Sequence, residues 1–160
     1  MRIRGARALR DREAERLIRR AAHAALTALA LPYEAVVEIT LVDDEEIQKA
    51  NARFRGKDKP TDVLSFPMLQ FYRGGYDGDL QRELDCEEGL LPLGDMLINV
   101  DRARAQGREL GHGFARECAY LTVHSVLHLA GYDHEDEGEE KRAMREKEEE
   151  VLGALGLPRA

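Results

Sequence analysis

The chain has 160 residues and a formal net charge of −7, a length that suits one domain over 1–160 and allows folding to bury about 68–70% of the extended chain's surface. The acidic balance excludes a protein coated in positive potential, although a local basic patch would still serve a polyanion. No stretch approaches the roughly 20 apolar residues that span a bilayer, so no membrane role is expected.

Arg2, Arg4, Arg7 and Arg10 open the chain, but Asp11, Glu13 and Glu15 follow them without the apolar core and cleavage site of a signal peptide. Cys86 and Cys118 lack paired spacing and give no disulfide framework, so a reducing, cytoplasmic location is expected. From Asp11 to Leu29, the positions Ala14, Leu17, Ile18, Ala21, Ala25, Leu26 and Leu29 recur at helical spacing. Pro32 closes that helix. The β-branched run Val36 to Val42 reads as a strand, and Asp43 and Asp44 suit the start of a helix to about Arg53. Asp62 to Phe66, stopped by Pro67, and Asp95 to Val100, following Gly94, are the next strands. Phe71 to Pro92, rich in glycine and charge, reads as a long loop or short hairpin. Asp101 to Arg108 is expected to be a short helix. Phe114 to Ala130 is a long one, apolar almost all round from Cys118 and therefore central and buried. A charged helix from about Glu137 to Leu155 ends the chain, with Ala143, Met144, Val151, Leu152 and Leu155 as a narrow docking stripe.

Chemistry concentrates in HSVLHLAGYDH. His124 and His128 lie four residues apart on the central helix and project from one face. Gly131 can take the left-handed conformation that ends a helix, which would return His134 beside them. Three imidazoles with a fourth position left to water is the ligand count of a catalytic zinc site. The zinc protease pattern H-E-x-x-H places a glutamate base after the first histidine, and this chain has Ser125 there. A serine hydroxyl cannot take a proton from water in that role, so peptide hydrolysis is disfavoured. The nearest carboxylates are Asp133, Glu135 and Asp136. Asp133 reads equally well as a turn residue or as the acceptor of one ligand's second N–H. His23 and His112 are assigned to structure or surface.

The second constellation is NARFRGKDKPTDVLSFP. Arg53, Arg55, Lys57 and Lys59 occur at every second position and would share one side of an extended segment, a cationic strip for a polyanion. Any one of these lysines reads at least as well as a solvated charge paired with Glu45, Glu46 or Asp58. Arg55 is favoured for function, because its planar fork can donate two parallel hydrogen bonds to a phosphodiester.

The blocks FRGKDKPTDVLSFP and HSVLHLAGYDH resemble the signature blocks of the YbeY family, bacterial endoribonucleases of ribosomal RNA maturation. GDMLINV occupies the place of that family's Gly-Asp-hydrophobic strand, so the resemblance covers about Ile39 to Gly156. The resemblance implies an α+β fold: a small mixed sheet packed against several helices, with a central buried helix carrying two zinc-ligand histidines in a zincin-like metallohydrolase arrangement. It implies one zinc ion per chain on His124, His128 and His134, and an essential Arg55. Arg53, Lys57 and Lys59 would bind RNA. It further implies single-strand-specific cleavage in maturation of the 3′ end of 16S ribosomal RNA, and ribosome quality control. The partners implied are the small ribosomal subunit, its proteins and an assembly GTPase. The family usually has glycine where Ser125 stands. The small serine should be tolerated in a helix, at the cost of a narrower approach to the metal.

On this reading a metal polarises a phosphoryl oxygen or lowers the pKa of its water, while Arg55 stabilises the charge growing in the transition state. Metal occupancy should fall below about pH 6.5, since each ligand must be neutral. Two rivals are a zinc hydrolase of another substrate class and a non-enzymatic ribosome assembly factor with a structural zinc. The second needs a fourth protein ligand, for which Glu117 or Asp133 is available.

Overall fold

A computed structural model describes residues 2–4, 10–134 and 138–159; Arg7, Glu135, Asp136 and Glu137, named above, lie outside the described residues. The order is β1 (Arg2–Arg4), α1 (Arg12–Leu29), β2 (Ala35–Val42), α2 (Asp44–Arg55), β3 (Val63–Pro67), β4 (Phe71–Tyr72), β5 (Gly75–Tyr76), β6 (Leu91–Asn99), α3 (Val100–Glu109), α4 (Gly113–Leu129) and α5 (Glu139–Ala154).

Local sequence sets most of these boundaries. The Asp11 carboxylate accepts from the Ala14 backbone N–H at the start of α1. Asp43 and Glu46 form a capping box at the start of α2, which runs on to Arg55, two residues past the expected end. A helix cannot hold an i, i+2 row on one side, so the extended strip of Arg53, Arg55, Lys57 and Lys59 is not formed. The first two are helical, and Gly56 turns the chain before the lysines.

One mixed sheet has the order β1-β2-β6-β3. β1 and β6 run parallel to β2, and β3 runs antiparallel to β6. β6 starts at Leu91 rather than Asp95 because Ala35 of β2 pairs with Leu91; Val36 pairs with Pro92 and Val37 with Gly94, so the register irregularity between them leaves Leu93 as the extra residue. Pro67 closes β3 inside the ladder, opposite Gly94, which an edge strand tolerates because its missing N–H need not pair. β1 is an addition to the expected elements. Its arginines read as a basic terminus, yet an edge strand accepts charge, and Arg2 donates to Glu38 of β2 at 3.0 Å. The segment expected as a loop or hairpin contains the β4-β5 hairpin and a 3-10 turn at Leu80–Glu83.

α4 is the central helix, packed against α1, α3, α5, β3 and β6. Val123, Val126, Leu127 and Leu129 are fully buried on it, and each such side chain stabilises by roughly 1.5–3 kcal/mol. That burial makes α4 a rigid carrier for any side chain at its solvent edge. None of the described helices is long and apolar enough to cross a membrane.

Candidate metal centre

His124 and His128 stand one turn apart on α4, with ring centroids 5.9 Å apart. The helix ends in a Schellman arrangement. Gly131, at φ 84°, donates to the His128 carbonyl, and Tyr132 donates to that of Leu127. This turn returns the chain and puts the His134 ring 5.1 Å from His124 and 5.4 Å from His128, so the three imidazoles are brought together. His128, Asp133 and His134 each offer a ligand atom, all within 4.8 Å of one another, and can hold a metal ion. Asp133 therefore stands within ligand range, and its carboxylate also accepts from the His134 backbone N–H at 2.7 Å.

The sequence reading missed what holds His124. Glu148, buried on α5, lies 3.0 Å from its Nδ1. A carboxylate only accepts, so Nδ1 carries the proton and Nε2 keeps its lone pair for a metal. This donor set, imidazole nitrogens with one ring fixed in orientation by an outer carboxylate, fits a divalent metal ion. His128 sits below the usual histidine range, chiefly because burial disfavours its charged form and further because His124 and His134 repel it. A depressed value keeps it neutral, as a ligand must be. Tyr120, one turn before His124, packs its ring 5.7 Å from that imidazole, and burial pushes its phenol up to about 12.

Ser125 is fully buried, and its hydroxyl lies 2.5 Å from that of Ser65 on β3. It takes no space on the solvent side of the imidazoles, so the expected narrowing does not occur. Arg55 donates to the Ser65 carbonyl at 3.2 Å and is near enough for its charge to lower the His128 pKa. Arg55 and the histidines are thus brought together by β3, although 69 residues separate Arg55 from His124. Arg53 instead lies over the exposed Phe54 ring at 5.1 Å. Lys57 and Lys59 are exposed in the turn after α2, where the Lys59 carbonyl accepts from Asn51. Of the acids considered as their partners, Glu45 binds Lys49, Glu46 caps α2 and Asp58 accepts from Gln48.

Glu117 is not available as a fourth ligand. It is buried with its carboxylate 2.6 Å from His112 Nε2, a pairing that fixes the entry to α4. His23 is exposed on α1.

The family model described as Endoribonuclease YbeY matches residues 3–156. The chain belongs to the YbeY family.

A relative from Thermoanaerobacter sp. (strain X514), named Endoribonuclease YbeY, is 53% identical over 77% of this chain and 76% of its own. Another of that name, from Caldanaerobacter subterraneus subsp. tengcongensis, is 49% identical over 91% of this chain and 89% of its own. A solution structure of TM1509 from Thermotoga maritima matches with a TM-score of 0.53 and 25% identity, covering 97% of this chain and 91% of that one. Within this YbeY chain, Glu148 and Ser65 were hidden because neither stands near the histidines in sequence. Glu148 sits in a helix whose other acids are mostly solvated, and its one distinguishing signal is its place on the α5 face with Met144, Val151 and Leu152.

Proposed function

We propose that the chain is a cytoplasmic, zinc-dependent endoribonuclease that cleaves single-stranded RNA at the 3′ end of small-subunit ribosomal RNA and serves ribosome quality control. Membership of the YbeY family supports RNA phosphodiester hydrolysis. The single observation that carries the mechanism is the convergence of three imidazoles beside Arg55.

His124, His128 and His134 would hold one zinc ion in a zincin-like arrangement, with two ligands on the buried α4 and the third delivered by the Gly131 turn. Such an ion, when held by these residues, would supply Lewis acidity for a bound water, whose pKa would fall toward about 7, and for a phosphoryl oxygen. Glu148 holds the His124 ring in one tautomer and one orientation. Arg55, anchored by its bond to the Ser65 carbonyl, presents its remaining N–H donors to the phosphate and stabilises the charge that grows on the non-bridging oxygens. Arg53, Lys57 and Lys59 lie around the end of α2, where they would bind flanking phosphates and make affinity salt-dependent.

The test is cleavage of single-stranded and duplex forms of the 3′ region of small-subunit ribosomal RNA, with metal content measured on the same samples. Arg55→Ala is expected to retain metal and fold while losing about 10²–10³-fold in cleavage rate, the scale of one transition-state donor. Wild-type cleavage by that variant would refute the role of Arg55. One observation favours a structural-zinc assembly factor as a second reading: Asp133 lies within ligand range of His128 and His134 and could close the site as a fourth ligand. On that reading Asp133→Ala destabilises the protein and releases metal, while Arg55→Ala leaves RNA processing intact.

A further inference from the structure

Beside the histidines a cleft of about 710 Å³ runs under the β4-β5 hairpin, and His128 forms part of its wall. Its other walls differ in chemistry from the Arg55 side. None of the described residues lining it is lysine or arginine. Three aromatic rings line it instead. Phe71, nearly buried, packs at 5.3 Å against the half-buried Tyr76, and Tyr72 is 63% exposed. Gln70 and Asp77 supply exposed polar ends, an amide that both donates and accepts and a carboxylate that accepts.

The hairpin that forms this wall is held in place. Gly74 donates to the Ala130 carbonyl at 2.8 Å, Arg73 bonds Glu139 at 3.1 Å, and the Tyr72 hydroxyl donates to Glu140 at 2.9 Å. A cleft walled by aromatic rings on a fixed hairpin, with two hydrogen-bonding side chains and no lysine or arginine among its described lining residues, suits a flat, uncharged, hydrogen-bonding group. The nearby Arg73 guanidinium lies over the Tyr72 ring at 5.3 Å and is held by Glu139. A phosphate would meet the Asp77 carboxylate there with no lysine or arginine in the described lining to offset it.

We propose that this cleft is a pocket for an unpaired nucleobase, the one adjoining the phosphodiester placed between His128 and Arg55. The base stacks on the hairpin tyrosines and meets Gln70 and Asp77 with its polar edge, while its phosphate lies toward Arg55. A base held in a duplex could not enter, so the pocket makes the site selective for single strands. This inference rests on the reading of the chain as an RNA-cleaving enzyme.

Amide NMR spectra of the full-length, zinc-loaded protein, titrated with the four 5′-mononucleotides and with ribose 5-phosphate, test it. Nucleotides are expected to shift the amides of residues 70–77 and the Gln70 side-chain amide saturably, whereas ribose 5-phosphate leaves them in place. Tyr72→Ala should weaken nucleotide binding roughly fivefold to a hundredfold, the range for one stacked base, and Tyr72→Phe should keep it. Equal shifts from ribose 5-phosphate, an undisturbed hairpin, or unchanged binding by Tyr72→Ala would overturn the pocket. Nucleotide binding in the cleft without cleavage of any single-stranded RNA would refute the nuclease reading and leave the pocket standing. Cleavage by a protein whose hairpin ignores every nucleotide would do the opposite.

Discussion

Gly131→Ala is the most informative single change. A Cβ built at Gly131 would lie 2.1 Å from the Phe71 carbonyl oxygen, 2.3 Å from its carbon and 2.7 Å from the Tyr72 nitrogen. All three are backbone atoms, so the hairpin itself must move. The residue also sits at φ 84°, which costs an L side chain about 1–2 kcal/mol. Displacing the hairpin strains the bonds from Gly74 to Ala130 and from Arg73 to Gly131, each with a net value of about 0.5–1.5 kcal/mol. The sum is about 2–5 kcal/mol, equivalent to a loss of roughly 4–20 °C in Tm for a chain of this size. Gly156→Ala is the control. Gly156 has φ 75° with nothing within 4 Å of the added Cβ, so it isolates the backbone cost. Thermal unfolding of both variants by circular dichroism, with metal content on the same samples, separates the terms. Gly131→Ala should unfold well below Gly156→Ala and hold metal more weakly, because the turn that returns His134 is disturbed. Melting of the two variants within about 2 °C of each other would refute the argument that hairpin and helix end are locked together.

Glu148→Ala should lower metal affinity about 10–100-fold by releasing the His124 ring, and Glu148→Gln should recover part of it by keeping an acceptor; competition with a chelator measures both. Ser125→Ala leaves the buried Ser65 hydroxyl without its partner and should cost about 1–3 kcal/mol in urea unfolding, while metal content stays at the wild-type level. Burial pushes the Cys118 thiol up to about 12, so near pH 8 it remains protonated in the folded protein. Cys86 is exposed. Alkylation should therefore label one thiol in native protein and both in denaturant, and rapid native labelling of Cys118 would contradict its burial.

The sequence by itself determined what is local. Helical periodicity and capping residues located α1, α2 and α4, the i, i+4 histidines declared a shared face, and Gly131 declared the turn that returns His134, because each depends on neighbours within a few positions. The paired signature blocks carried the resemblance to the family. Tertiary structure decided what distant segments share. The N-terminal strand forms only because β2 offers it an edge, and β6 extends to Leu91 because β2 is there to pair with it. The cationic strip failed because Arg53 and Arg55 complete α2, a continuation that alternating charge could not reveal. Glu148 joins His124 across 24 residues, and Ser65 joins Ser125 across 60. Those contacts depend on how α5 and β3 dock against α4. Hydrophobic burial sets that docking; the periodicity of α5 can place Glu148 on the inward face, but nothing local says which partner a buried polar side chain will meet.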